Sequence, residues 1–275
     1  MIEKLIFIVN NKKKSFSWNK KCFLCLLPEL VGIILFYLYP FCRAIFYSLI
    51  DNQFHKKFVG ISNYIITIQN KYFCLAMKNS ILLLIIAVPF LMLLVLFLAF
   101  TLFLFPNRRW LQISFFLPIL LPSAAAALVW QNVFLKPKTV LPLYLLFLWK
   151  NTGMCLVLLN ARFSAINSEI LDAAKIDGAG KGTLYLKIMI PMALPVIIFD
   201  FLLSIINSFR IFRESYLYYG GNYPPEHSYT LQYYMNNNFL NLNYQRLSSS
   251  GVLVTGLIVV FVLFGLHLQK KVDWE

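Results

Sequence analysis

The sequence predicts an all-α fold: a polytopic membrane protein with six transmembrane helices and one patterned cytoplasmic loop of helix-turn-helix form. Three observations predict it. The chain is 60% hydrophobic, 17% aromatic and only 13% charged, with mean hydropathy +0.70, whereas soluble chains average about half apolar and about a quarter charged. Six stretches approach or exceed the ~20 apolar residues that cross a bilayer core: Phe23 to Phe46, Ser80 to Phe105, Leu111 to Phe134, Val140 to Leu159, Met192 to Phe212, and Gly251 to Gln269. Finally, lysine and arginine concentrate on alternate connections between these stretches. A large soluble helical core would need polar faces at helical spacing, and Ser80 to Phe105 offers almost none.

Taken in order, residues 1–22 form a polar basic tail with Lys4, Lys12, Lys13, Lys14, Lys20 and Lys21. The apolar run after it is too long for a cleavable signal peptide, so it reads as the first span. Cys22-x-x-Cys25 stands alone at the membrane edge, without the second pair that a zinc site requires. The second and third spans are joined by a short loop carrying Arg108 and Arg109. In the fourth, a central Lys150 costs about 2.5–3.5 kcal/mol, which eleven Leu, Val and Phe residues offset at roughly 0.3–0.6 kcal/mol each. Lys150 should therefore face other helices or snorkel. The fourth connection, 162–190, carries Arg162, Lys175, Lys181 and Lys187, and the chain closes on Lys270 and Lys271. By the positive-inside rule both termini and this connection are cytoplasmic. The domain division is then a cytoplasmic tail over 1–22, a six-helix membrane domain over 23–270 enclosing the loop 162–190, and a cytoplasmic tail over 271–275. The net charge of +14 is spread over these loops rather than gathered on one face, so no nucleic-acid partner is implied.

Within the loop, GAGKGT (178–183) has a superficial likeness to a phosphate-binding loop. That motif needs a glycine where Lys175 stands and Ser or Thr where Gly182 stands, and it must follow a strand. Here SEILDAAKI precedes it and favours helix. Ser168 can cap, Glu169 and Asp172 suit a first turn, Ala173 and Ala174 are strong helix formers, and Gly178 supplies a stop. A second short helix, Lys181 to Ile190, leads to Pro191 and Pro195. The result is an elbow with a small apolar face of Ala173, Ala174 and Ile176, suited to close docking against another protein.

EILDAAKIDGAGKGTLYLKIMIPMALP resembles the coupling loop of permease subunits in binding-protein-dependent ABC importers. That motif reads Glu-Ala-Ala, three residues, Gly, nine residues, Ile, one residue, Leu-Pro. Asp172, Ala173, Ala174, Gly178, Ile188 and Pro191 fall in register, with Asp172 for Glu and Ile190 for Leu as departures. The tetrad IDGA and the pair Pro191 and Pro195 resemble the sugar-type importers. FVGISNY (58–64) resembles the family's outer loop and LWKNTG (148–153) the span before its coupling loop, while GGNYPPEHSYTLQYYM (from Gly220) resembles the outer loop of the maltose and glycerol-3-phosphate type. Between Phe134 and Val140 the family usually has a much longer segment, and here only LKPKT remains.

The resemblance implies a permease of the bacterial plasma membrane that moves a sugar or related solute. Its partners would be ABC ATPase subunits, a second permease and an extracytoplasmic solute-binding protein, with membrane lipid around it and no cofactor in the chain. The implied ATPase-coupling residues are Glu169, Asp172, Ala173, Ala174, Asp177, Gly178, Ile188 and Pro191. A different class, an ion-coupled secondary transporter, would need buried carboxylates, for which Glu29 and Asp200 are candidates. It would also need internal repeats, which are not visible. A membrane enzyme would have only His55, His227 and His267 as histidines, without an HExxH pattern.

The substrate path belongs on polar helix faces near the bilayer midplane. Asp200, Ser204, Asn207 and Ser208 share roughly one face of the fifth span, and Lys150, Asn151 and Thr152 sit on the fourth. The same groups serve equally well as hydrogen bonds between helices. The Tyr- and Asn-rich stretch from Phe212 to Arg246 suits a sugar, its binding protein, or anchoring at the membrane interface.

Overall fold

The computed structural model describes residues 20–52, 54–105, 110–134 and 139–272. Residues 1–19, Arg108, Arg109 and most of LKPKT lie outside the described residues, as do the side chains of Lys20, Lys21, Cys22, Lys270 and Lys271. Five helices are long and apolar enough to cross a membrane, and a bent pair makes a sixth span.

The first span is α1 (Lys20–Ile33), a π-helical turn (Ile34–Leu38) and α2 (Tyr39–Ser48). Pro40 explains the turn, because its ring displaces the carbonyl four residues back and it has no N–H to donate. Of this span, α2 packs against the last helix, whereas Phe36 and Tyr37 are 76% and 74% exposed. After it, Asn63 on α3 (Ser62–Gln69) donates to the carbonyls of Ser48 (3.0 Å) and Ile50 (2.8 Å), closing the connection onto the span's end. Asn70 then caps α4 (Lys71–Leu104) by accepting from the N–H groups of Tyr72 and Phe73.

The third span, expected over 111–134, is bent. It is two helices, α5 (Trp110–Leu120) and α6 (Ser123–Val133), meeting at 111°. Pro122 is the reason: a residue before proline leaves the helical region, here Leu121, and Pro122 itself is extended (φ −55°, ψ 146°). The fourth span, α7 (Leu141–Ser164), crosses α5 at Gly153, where an added Cβ would collide with the backbone of Phe115 and Phe116. That close approach is what a small residue permits between membrane helices.

After α7 come α8 (Ser168–Ile176) and then one long helical rod with a single turn residue, Ile211, near its far end. Its parts are α9 (Lys181–Thr183), a π-helical stretch (Leu184–Met189), α10 (Ile190–Arg210) and α11 (Phe212–Tyr219), and it counts as a single candidate span, Lys181–Tyr219. The separate short helix expected over 181–190 is therefore the foot of the fifth span. Pro191 and Pro195 deny N–H donors to the turns before them, and the wider π register absorbs the mismatch instead of a break. A connection bearing α12 (Leu231–Leu240) leads to α13 (Tyr244–Val272). The core lies between α4, α7, α10 and α13, around Leu91, Phe147, Leu156 and Ile205. In lipid such packing is held by van der Waals fit and interhelical hydrogen bonds rather than by exclusion of water.

Candidate functional site

Two regions carry the expected functional residues, at different heights of the bundle. At one end stands the loop 162–190. Asn167, one residue ahead of the expected Ser168, caps α8 by accepting from the Glu169 N–H (3.1 Å). Gly178 takes φ 85°, and the Ala179 and Gly178 N–H groups donate to the carbonyls of Ala174 (2.9 Å) and Lys175 (3.0 Å). This is the paired C-terminal closure that a left-handed glycine makes possible.

Glu169, Asp172, Ala173, Asp177 and Gly178 are exposed, Ala174 is half-buried, and Ile176 is 86% exposed. Asp172 forms an exposed ion pair with Lys175 (2.7 Å). Ile188 is half-buried and Pro191 exposed at the foot of the rod. No nucleotide cradle forms at GAGKGT, because Gly180 and Lys181 open a helix continuous with a span.

Below this elbow, Tyr185 is the anchor that sequence reasoning missed. Its hydroxyl donates to the Leu96 carbonyl (2.6 Å), and its ring packs against Phe100, Phe103 and Phe163. Arg162 places Nε and Nη2 on the Met192 carbonyl (3.0 and 2.8 Å), tying the end of α7 to the start of α10. The elbow thus projects from a rigid base.

The second region is a polar cavity of about 480 Å³. Lys150, Asn151 and Asn207 line it, and Asn207 Nδ2 donates to Asn151 Oδ1 (2.9 Å). Lys150 Nζ donates to the Leu121 carbonyl (3.1 Å) and pairs with Glu214 (3.4 Å), while Glu214 accepts from Ser123 Oγ (2.8 Å). Lys150 therefore faces other helices, and it and Glu214 clamp the two halves of the bent third span at their junction.

Arg210, Arg213 and Gln232 complete the polar wall. Glu214, Arg210 and Arg213 were not anticipated, although three charges gathered around the end of the fifth apolar stretch were the available signal. The other expected path residues sit elsewhere. Asp200, Ser204 and Ser208 are buried, with Ser204 donating to the Asp200 carbonyl (2.7 Å) and Ser208 to that of Ile205 (2.7 Å). Thr152 is buried and donates to the Leu148 carbonyl (2.7 Å). Glu29 is exposed on α1.

The arabinooligosaccharides transport system permease protein AraP of Bacillus subtilis is 29% identical, over 95% of this chain and 93% of its own length. The lactose transport system permease protein LacF of Rhizobium radiobacter is 26% identical, over 88% and 90%. The sn-glycerol-3-phosphate transport system permease protein UgpA of Escherichia coli is 24% identical, over 68% and 72%. In three dimensions the chain matches a chain of a bacterial alginate ABC transporter, solved with an alginate pentasaccharide-bound periplasmic protein. The TM-score is 0.79 at 18% identity, over 94% of this chain and 97% of that one, which establishes the fold. The pattern that defines binding-protein-dependent transport system inner membrane components matches residues 75–273. The chain, a multi-pass membrane protein, belongs to that family.

Proposed function

We propose that the chain is one permease half of an ABC importer for a carbohydrate or related small polar solute. Separate ATPase subunits drive it, a second permease completes the pore, and an extracytoplasmic solute-binding protein delivers the cargo. The observation that carries this reading is family membership over residues 75–273, and it favours ATP-driven import over an ion-coupled transporter. The relatives named for arabinooligosaccharides and lactose point to the sugar class.

In this reading both termini and the loop 162–190 are cytoplasmic, and residues 1–22 and 271–275 are tails of the membrane domain 23–270. The exposed elbow, with Glu169, Asp172, Ala173, Ala174, Asp177, Gly178, Ile188 and Pro191, docks into the ATPase. The cavity around Lys150, Asn151 and Asn207 lies on the solute path. Asp200, Ser204 and Ser208, expected on the same path, lie buried on α10. The chain itself supplies no chemistry.

The test is uptake of labelled arabinotriose, lactose and maltotriose by proteoliposomes holding the chain with the ATPase, second permease and binding protein encoded beside it. Uptake should require both ATP and the binding protein. Uptake driven by a proton or sodium gradient without ATP would overturn the reading in favour of an ion-coupled carrier.

A further inference from the structure

A second cavity, of about 440 Å³, lies at the opposite end of the bundle from the loop 162–190. The ends are fixed by α4: Tyr185 packs near its last turns, whereas this cavity is built on its first turn, at Tyr72 and Leu75. Its volume falls within the about 300–1,000 Å³ of small-molecule sites. The lining is unusual for a membrane helix bundle, combining tyrosine rings with the amides of Asn237, Asn238 and Asn241.

The rim is tied to the bundle. Asn79 Nδ2 donates to the carbonyls of Glu226 (2.6 Å) and Tyr229 (2.9 Å), and Asn237 Nδ2 to that of Asn222 (3.2 Å). Tyr72 and Tyr223 nevertheless remain 67% and 82% exposed, holding aromatic faces at the opening. Asn237 is itself buried, yet its Oδ1 has no hydrogen-bond partner, and a buried acceptor left open costs about 1–3 kcal/mol. Burial pushes the Tyr229 hydroxyl up to about 12, so it stays a neutral O–H at working pH. Arg246 and Glu226 both line the cavity, so its formal charges cancel.

Aromatic faces suit the C–H surface of a sugar ring, and planar amides suit its rim of hydroxyls. The cancelled charge favours a neutral ligand over a phosphate. We infer that this cavity is a second binding site, for a neutral oligosaccharide, separate from the cavity around Lys150 and Asn207. The inference rests on the carbohydrate reading above and adds an entry site ahead of the solute path.

The test is saturation-transfer NMR on the full chain within its transporter complex in nanodiscs, without ATP, using arabinotriose and maltotriose as probes. Tyr72→Ala and Tyr223→Ala alter exposed rings and leave folding intact, and Asn207→Leu serves as the control at the other cavity. At least one probe should give transfer to its ring C–H protons. Each tyrosine variant should lower affinity by about fivefold or more, the scale of a lost aromatic contact, while Asn207→Leu leaves this binding in place.

Full affinity in both tyrosine variants, with loss in Asn207→Leu, would overturn the second site and leave the import reading standing. Absence of transfer from both probes would overturn it as well. So would tyrosine variants that keep the sugars but lose capture of the binding protein, since the surface would then be a protein interface. The import reading itself fails only on the ATP-dependence of uptake, a separate measurement.

Discussion

At Gly178 a single backbone angle holds the elbow's shape. A residue with a side chain at φ 85° costs about 1–2 kcal/mol, and open space around the position means that backbone strain, not a clash, is the penalty. Gly178→Val should therefore leave the protein in the membrane but lower co-purification with its ATPase and abolish uptake. Ala174→Trp should do the same by bulk, and Lys181→Ala should be mild. ATP binding by the chain that vanished on Lys181→Ala would contradict this.

The clamp at Lys150 makes a second residue-level prediction. Lys150→Met alone strands Glu214, and should cost on the order of 1–3 kcal/mol, less than the about 3–5 kcal/mol of a fully buried pair because the cavity keeps both groups partly wet. Adding Glu214→Gln should recover most of that loss. Thermal unfolding of the detergent-solubilised chain measures both, and an additive double variant would show that the two do not interact. That Lys150 turns toward other helices was legible from its insertion cost. Its partner was not, since nothing local in a sequence links a lysine in one span to a glutamate beyond the next.

Among the elements, hydropathy located every span, yet it could not show how two of them run. The apolar run 111–134 is continuous in composition, and the 111° bend inside it comes from the backbone demands of Pro122. In the opposite sense, Pro191 and Pro195 suggested a break where the chain instead keeps one helix by widening its register. Proline marks where a ladder loses donors, but whether the helix bends or rewinds depends on what packs there. The bend also needs its neighbour: α7 reaches α5 only because Gly153 lacks a Cβ. Gly153→Leu should push α5 away, weaken the Lys150 contact with the Leu121 carbonyl and cut uptake by at least about tenfold, the cost of misplacing a site by an ångström or so. Cross-linking between one cysteine on α5 and one on α7, both placed beside the contact and neither at 153, would follow the separation, and unchanged cross-linking with full uptake would refute it.

For the whole molecule, the proposed orientation rests on the charge asymmetry of the loops. Position 181 should label with an impermeant thiol reagent only after the membrane is opened, and position 222 in intact cells; the reverse pattern would invert the topology. The helix-turn-helix form of the elbow was legible because its helix formers and Gly178 coincide at fixed spacing within one segment. The polar cavity was only half legible, because three of its residues lie beyond the fifth span, where helical spacing inside a span says nothing. The helical run Lys181–Tyr219, with a single turn residue at Ile211, joins these distant places. From its foot to Glu214 it is about 50 Å at ~1.5 Å per residue, which makes it a lever. A tilt of only about 3° at the foot swings the far end by roughly 2–3 Å over that length, more than a hydrogen bond survives. If the elbow docks as proposed, a tilt imposed there should reach the Glu214–Lys150 clamp as a displacement of the bend in the third span, and distances between spin labels at positions 181 and 121, measured with and without ATP, would follow it.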